Sequence, residues 1–373
     1  MSLIKSFFIG IMLFIPFLKS YASGLKDTVS VGFNTYGDTN DVQVYSPTFA
    51  IMKTLSKHFL VGFKMRVDAI SSASIKNASG DKYLVDTVAG ASAKSGFEDI
   101  RYAPTFLMSY DDGKNSVTGG GYYSKEIDYT GKALFVNYVR QLNQDNTAVG
   151  IGISQSNDNW SPTFKRNLPK DYRNEQKIDL SINQLISPTA SIQFVYSYMN
   201  SVGFLSSPYH YVKQTNLARF ENYKDTRMGQ AFAIKGVNLI NETTSIKYSY
   251  RYYKDDWDIS SHTISTEVLH DINKKFMIGA RVRYYTQTKA SFTKDIGTYT
   301  QSDQYFVTDY RMSAFDSYSF GIPLTYKPSE DSPYKFSFSM DYYQTSNNDY
   351  IKQWQNTDNL KAIYTSFSVE YEF

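Results

Sequence analysis

Three short stretches carry the side chains best suited to chemistry: Arg66-Val67-Asp68, Asp99-Ile100-Arg101 and Ser124-Lys125-Glu126-Ile127-Asp128. In each, the polar residues lie two apart, the spacing that puts side chains on one face of an extended strand. If these stretches are neighbouring strands, Arg66, Asp68, Asp99, Arg101, Ser124, Glu126 and Asp128 share a face. Four carboxylates and two guanidiniums could then bind a cation or grip a polar solute. The plainer expectation is a network of opposite charges that neutralise one another. A second group, Lys247, Arg251, Arg281 and Arg283, is wholly basic and falls on one face by the same parity.

Other chemistries are poorly served. The chain has no Cys, which excludes a thiol nucleophile, a disulfide framework and a lipoprotein anchor. It has four His. His58 and His270 fall at expected strand ends and His210 in a long loop, while His262 lies close in sequence to Asp255, Asp256 and Asp258. That grouping could form a His–Asp dyad, but a solvated rim cluster is the expectation, and no enzymatic activity is assigned. His pairs at metal-binding spacing and a CxxCH motif are both missing, so no zinc site, covalent haem or other cofactor is expected. Gly119-Gly120-Gly121 is not a phosphate loop, because neither Lys nor a helix follows it; in a strand such glycines mark a kink or a close approach.

The elements that must position these residues are strands. Many segments alternate apolar and polar residues over about ten positions. At the C-terminal end, Ile363, Thr365, Phe367, Val369, Tyr371 and Phe373 fall on one face, and Ala362, Tyr364, Ser366, Ser368, Glu370 and Glu372 on the other. Val61, Phe63, Met65 and Val67 likewise alternate with Gly62, Lys64, Arg66 and Asp68. Charges are expected to sit on the inner face and never to interrupt the outer one. A lipid-facing wall penalises charge by about 2–4 kcal/mol near the midplane, whereas a wet lumen does not. The pattern predicts an all-β, transmembrane, antiparallel up-and-down β-barrel. The 33 Tyr and 25 Phe supply its interfacial girdles and lipid-facing wall, and the mean hydropathy stays negative.

Sixteen strands are expected, with fourteen to eighteen as the range. They lie near 27–36, 41–54, 59–70, 97–110, 115–127, 129–142, 147–157, 174–186, 189–200, 227–239, 245–254, 259–271, 276–288, 314–327, 334–345 and 360–373. Short turns such as Asp111-Asp112-Gly113-Lys114 and Ser187-Pro188 are expected to alternate strictly with long loops near 71–96, 158–173, 201–226, 289–313 and 346–359. With both termini in the periplasm, the turns are periplasmic and the loops extracellular. The first strand starts too early to leave room for a large N-terminal plug; the longest loops could instead fold inward.

Residues 1–22 read as a signal peptide: Lys5, an apolar run from Phe7 to Leu18, and Ser20-Tyr21-Ala22 before the cut. Residues 23–373 then form a single barrel domain in the bacterial outer membrane. Removing Lys5 and Lys19 lowers the net charge from +3 to +1, which argues against nucleic acid as a partner. Phe367, Val369, Tyr371 and Phe373 look like the signal read by the barrel assembly machinery. Outer-membrane lipid and that machinery are the expected partners.

Val67-Asp68-Ala69-Ile70-Ser71-Ser72-Ala73-Ser74 is echoed eighteen residues later by Val85-Asp86-Thr87-Val88-Ala89-Gly90-Ala91-Ser92. Asp99-Ile100-Arg101, Tyr122 to Tyr129 and Asn143 to Gly150 follow. This order resembles an uncharacterised family of outer-membrane proteins, domain of unknown function 3570. The resemblance implies a barrel and no settled activity. It also implies neighbouring genes for a flavin transferase, a thioredoxin-like protein and a small lipoprotein, hence an envelope redox system that no residue of this chain shows. Three functions are therefore carried forward: a porin-like channel for ions or small polar solutes, a scaffold or sheath for a redox or lipoprotein partner, and, last, a surface enzyme. Ion preference is not legible, because the inner faces carry both signs.

Overall fold

The computed structural model describes residues 26–39, 42–72, 97–161, 171–206, 211–214, 217–295, 298–307, 309–346 and 359–373. The proposed signal peptide, the second repeat copy at 85–92 and His210 lie outside the described residues. The first strands are β1 (Thr28–Asp38), β2 (Val42–Ser56), β3 (Phe59–Ser72), β4 (Phe97–Asp111), β5 (Asn115–Lys125) and β6 (Tyr129–Leu142). Next come β7 (Thr147–Trp160), β8 (Asp171–Ser187), β9 (Ala190–Gly203), β10 (Tyr211–Gln214), β11 (Leu217–Phe220) and β12 (Thr226–Asn241). The chain ends with β13 (Thr244–Asp255), β14 (Ser260–Asp271), β15 (Phe276–Gln287), β16 (Phe315–Tyr326), β17 (Tyr334–Ser346) and β18 (Lys361–Glu372).

Sixteen of these strands form one closed antiparallel barrel, and β10 and β11 form a separate hairpin. Closure is made by β1 against β18, with Thr28 opposite Glu372 and Phe33 opposite Phe367. Closure leaves the sheet no free edge, the condition for it to cross lipid. Barrel strands run from 11 to 17 residues, longer than the roughly 9–11 that cross a bilayer. Their ends therefore stand clear of the hydrocarbon.

Alternation sets the two walls. Phe33, Phe49, Phe63, Phe106, Leu134, Ile153, Phe232, Ile264, Val282, Phe338 and Phe367 are exposed on the outside. Aromatic pairs gather near the end that carries the chain termini, among them Phe59–Tyr110 at 5.0 Å, Phe276–Tyr326 at 4.6 Å and Tyr334–Tyr371 at 4.9 Å. Such a girdle marks the boundary between hydrocarbon and headgroups. Sixteen strands about 4.8 Å apart and tilted by about 40° enclose a backbone cylinder roughly 30 Å across. Lumen side chains alone do not fill that width.

Two expectations need correction. Connections at the terminus-bearing end are all short, from 57–58 to 327–333, but those at the other end are not all long. β1–β2, β5–β6 and β13–β14 are joined there by 39–41, 126–128 and 256–259. Backbone pairs close the last two: Glu126 N–H donates to the Tyr129 carbonyl at 2.8 Å, and Asp255 N–H to the Ile259 carbonyl at 3.0 Å. The outer wall also carries charges, Lys53, Lys125, Lys132, Arg140 and Lys254. All lie within a few residues of a strand end, where a long side chain reaches the interface while its stem stays in lipid.

The described parts of two long loops, 204–206 with 217–225 and 288–295 with 298–307 and 309–314, pack with the β13–β14 turn into a cap at the loop end. Its core is Tyr223, Trp257, Ile259, Ala290, Phe292, Val307 and Met312. The Trp257 ring meets Phe292 at 5.2 Å and Tyr223 at 5.7 Å, and its indole N–H donates to the Thr226 carbonyl at 2.8 Å. Asn222 bridges Phe306 across the two loops. A short 3-10 turn at Tyr310–Met312 is capped by Asp309, whose carboxylate accepts from Arg311 N–H at 2.9 Å.

Candidate functional site

The predicted seven gather at the loop-end rim, but not all on strands: Arg66 and Asp68 are on β3, Asp99 and Arg101 on β4 and Ser124 on β5, while Glu126 and Asp128 lie in the β5–β6 turn. Asp68 is at the centre of the group and fully buried. Its Oδ1 accepts from Arg66 Nε at 2.7 Å and from Ser46 Oγ. Its Oδ2 accepts from Arg101 Nε at 2.6 Å and from Arg101 Nη2. One carboxylate thus lies between two guanidiniums, and the neutralising network is the better description of this half.

The other half differs. Asp99, Glu126 and Asp128 are all buried, and one carboxylate oxygen of each lies within 4.8 Å of the others. Oxygen-only ligands at this spacing suit a hard divalent cation such as calcium. This is the group of described residues that could hold a metal.

Sequence reasoning missed the rest of the rim. Asp158 on β7 accepts from Arg173 Nε on β8 at 3.1 Å, and the Arg173 guanidinium lies 5.2 Å from the Trp160 ring centroid. Trp160 meets Tyr129 edge-on at 4.9 Å. Gly131 is needed here, because a Cβ at that position would sit 2.8 Å from Ser124 Oγ and 3.2 Å from Asp158 Oδ1. The Asp158-Asn159-Trp160 spacing was the available signal, but 158–160 had been read as loop.

Deeper in the lumen, the second group splits in two. Lys247, Glu267, Arg281, Gly321 and Asp341 stand directly opposite one another on β13 to β17. Lys247 Nζ lies 2.9 Å from Glu267; Arg281 lies 3.2 Å from Glu267 and 2.7 Å from Asp341. Arg281 reaches Asp341 across β16 only because Gly321 lies between them. A Cβ there would meet Asp341 Oδ1 at 2.0 Å. Lys247 and Arg281 are thus balanced by acids. Arg251 and Arg283 are not: among the described residues neither makes a salt bridge, and each lies against a tyrosine, Tyr253 at 5.3 Å and Tyr285 at 5.2 Å.

Above them, the cap meets the lumen wall. Asp255 Oδ2 accepts from Arg227 at 2.6 and 2.8 Å and from Tyr253 O–H at 2.9 Å. Its Oδ1 accepts from the Trp257 and Ile259 N–H groups at 3.0 Å. Burial pushes the Tyr310 hydroxyl well above the usual tyrosine range, and Tyr343 and Tyr364 add to the shift. Tyr310 thus lies near Tyr343 of β17 and Tyr364 of β18.

The His–Asp dyad is not formed. His262 is exposed on the outer wall, where its Nδ1 pairs with the Tyr250 hydroxyl at 2.8 Å; Asp255 points into the lumen and is held by Arg227. His58 and His270 lie at the turn end as expected, bonded to the Asp111 carbonyl at 2.7 Å and the Thr244 hydroxyl at 2.9 Å. Gly120 marks a close approach, since a Cβ there would meet the Phe106 carbonyl and the Phe135 ring at 2.5 Å.

Among solved structures, a bacterial polysaccharide outer membrane secretin superposes with a TM-score of 0.56 at 6% identity, covering 94% of this chain and 100% of that one. This likeness is one of fold, the outer-membrane β-barrel. The CymD monoaromatic hydrocarbon channel matches at TM-score 0.46 and 10% identity, over 95% of this chain and 90% of that one. The toluene transporter TbuX of Ralstonia pickettii matches at 0.43 and 8%, over 94% and 90%. No protein of curated function matches the sequence. A family model described as "Protein of unknown function (DUF3570)" matches residues 18–175 and 163–371. The chain belongs to the DUF3570 family of outer-membrane β-barrels.

Proposed function

We propose that this barrel is a channel carrying ions or small polar solutes across the outer membrane, narrowed at its outer mouth by the loop cap. The observation that carries this reading is the lumen itself. Its wall bears Lys64, Lys177, Asp179, Lys247, Arg251, Glu267, Arg281, Arg283, Asp341 and Glu370 behind an apolar outer face. Charges at this density are tolerated only in contact with water, so the lumen is wet, and a wet lumen in a 16-stranded barrel leaves room for solutes. In this reading residues 1–22 are removed on export, the short turns face the periplasm, and Phe367, Val369, Tyr371 and Phe373 present the assembly signal.

The capped mouth favours a second reading. A lumen covered at the outer end and bordered at the other by short turns is a cup, into which a periplasmic lipoprotein or redox partner fits. Single-channel recording of the purified barrel separates the two. Stable conductance steps support the channel, and a folded but silent barrel favours the sheath.

A further inference from the structure

We infer that the lumen binds small oxyanions, of the phosphate or carboxylate type, at Arg251 and Arg283 beneath the cap; the inference rests on the wet-lumen channel reading and gives it a solute class.

The argument is one of charge balance. The lumen and rim arginines fall into two sets. Arg66 and Arg101 share Asp68, Arg173 has Asp158, Arg227 has Asp255, and Arg281 has Glu267 and Asp341. Among the described residues Arg251 and Arg283 form no salt bridge; Arg251 lies against Tyr253 with Asp179 farther off, and Arg283 lies against Tyr285 with Tyr343 and Tyr364 nearby. The acids around them are committed elsewhere. Asp255 is filled by Arg227, Tyr253 and two cap N–H groups. Asp341 is bidentate to Arg281. Asp179 is held by Lys177 and Ser197. Two like charges held near each other without a salt-bridged carboxylate repel, and a mobile anion between them relieves that repulsion.

The geometry leaves space for one. Arg251 stands opposite Thr263 on β14, and Arg283 stands between Ser265 on β14 and Ser319 on β16. Small hydroxyl side chains thus stand next to each cation in the strand-to-strand rows, with tyrosines beyond them, so that further donors are within the patch. Arg251 is exposed to the lumen although it lies on the inward face of a membrane-spanning strand. Ser249 and Ser265, 2.7 Å apart, continue the hydroxyl floor. Two fork-shaped donors with hydroxyls between them match a tetrahedral or planar oxyanion, which takes bidentate bonds. Stacking on tyrosine limits the guanidinium rotamers in advance.

The test is titration of the detergent-purified full barrel with inorganic phosphate by calorimetry, together with bilayer recording under a potassium chloride gradient. Wild type is expected to bind phosphate, to prefer chloride to potassium, and to lose chloride current as phosphate is added. Arg251→Ser and Arg283→Ser should each weaken phosphate binding roughly tenfold, and the pair should abolish the anion preference. Cation-selective or unselective current in wild type, or phosphate binding unchanged in the double variant, overturns the inference while leaving the channel standing. A silent barrel that binds phosphate through these arginines keeps the site and overturns the channel. A silent barrel that does not bind phosphate overturns both. Both substitutions point into water rather than into the ladder, and heat-modifiable migration of the folded barrel confirms that each variant folds.

Discussion

Replacing Asp68 with Asn keeps the shape of the side chain and removes the charge that holds the rim together. Asp68 is fully buried, and its two arginines have side chains only 10% and 11% exposed. Both carboxylate oxygens are engaged, Oδ1 by Arg66 and Ser46 and Oδ2 by two nitrogens of Arg101. An amide can accept at one oxygen only, and its NH2 group then faces a guanidinium. Two cations remain buried without a shared anion. Removing one member of a buried pair costs about 3–5 kcal/mol, and the small access of water to both arginines places this site near the lower end, about 3 kcal/mol. Urea unfolding of the barrel in micelles or vesicles, followed by tryptophan fluorescence, reads that loss as a lower midpoint at unchanged slope. A double variant that also carries Arg101→Gln should recover at least about 1 kcal/mol relative to additivity, because the second substitution removes one of the stranded charges. A loss under 1 kcal/mol for Asp68→Asn, or strict additivity in the cycle, would show that the network fills space without holding charge and would refute the reasoning.

Gly321→Val should swing Asp341 off Arg281, since a Cβ would meet Asp341 Oδ1 at 2.0 Å; a loss of about 1–2 kcal/mol is expected, modest because Arg281 is partly solvated, and an unaltered unfolding midpoint counts against the cross-strand bridge. Trp257→Ala should loosen the cap by removing its buried centre, and is expected to raise conductance and open the 288–314 loop to protease at unchanged barrel stability; equal protection in the variant and wild type would mean that the loop is held some other way. Asp303 is held down to about 2 by its hydrogen bond from Lys294 and the backbone N–H of Thr300. A lowered folded value means that its contribution is complete above the unfolded carboxylate value near 3.8 and disappears as pH falls through about 2. The difference in protease protection of the loop between wild type and Asp303→Asn should therefore be constant from pH 7 to about pH 4, shrink below it, and vanish as pH falls through about 2. Phe373→Ala removes the ring that stacks on Tyr371 at 6.0 Å and faces Lys53 at 5.0 Å; it should lower the yield of assembled barrel in cells more than the refolding yield in vitro, and equal losses would make Phe373 a packing residue alone.

The barrel was legible because lipid imposes its pattern on every strand. A period-two alternation such as Phe336, Phe338, Met340 and Tyr342 against Lys335, Ser337, Ser339 and Asp341 survives without knowledge of neighbours, and the 16 strands follow. Five of the rim residues, Arg66, Asp68, Asp99, Arg101 and Ser124, were legible for the same reason, because parity on adjacent strands decides who meets whom; Glu126 and Asp128 join them from the β5–β6 turn. Pairings that depend on register were not. That Asp68 would be shared by Arg66 and Arg101, or that Gly321 would open the way from Arg281 to Asp341, requires knowing which residue stands opposite which. The cap was hidden for a further reason. Trp257, Phe292 and Met312 come from two connections with no period, and their meeting depends on loop geometry rather than on pattern. His262 and Asp255 are near in sequence, but they lie on opposite faces of the wall and make no dyad.

Single-channel recording of the refolded barrel in a planar bilayer tests the central claim most directly. Stable steps, enlarged by Trp257→Ala, are the result expected of a wet, capped channel. A fully folded barrel that passes no current, with or without that substitution, would contradict it.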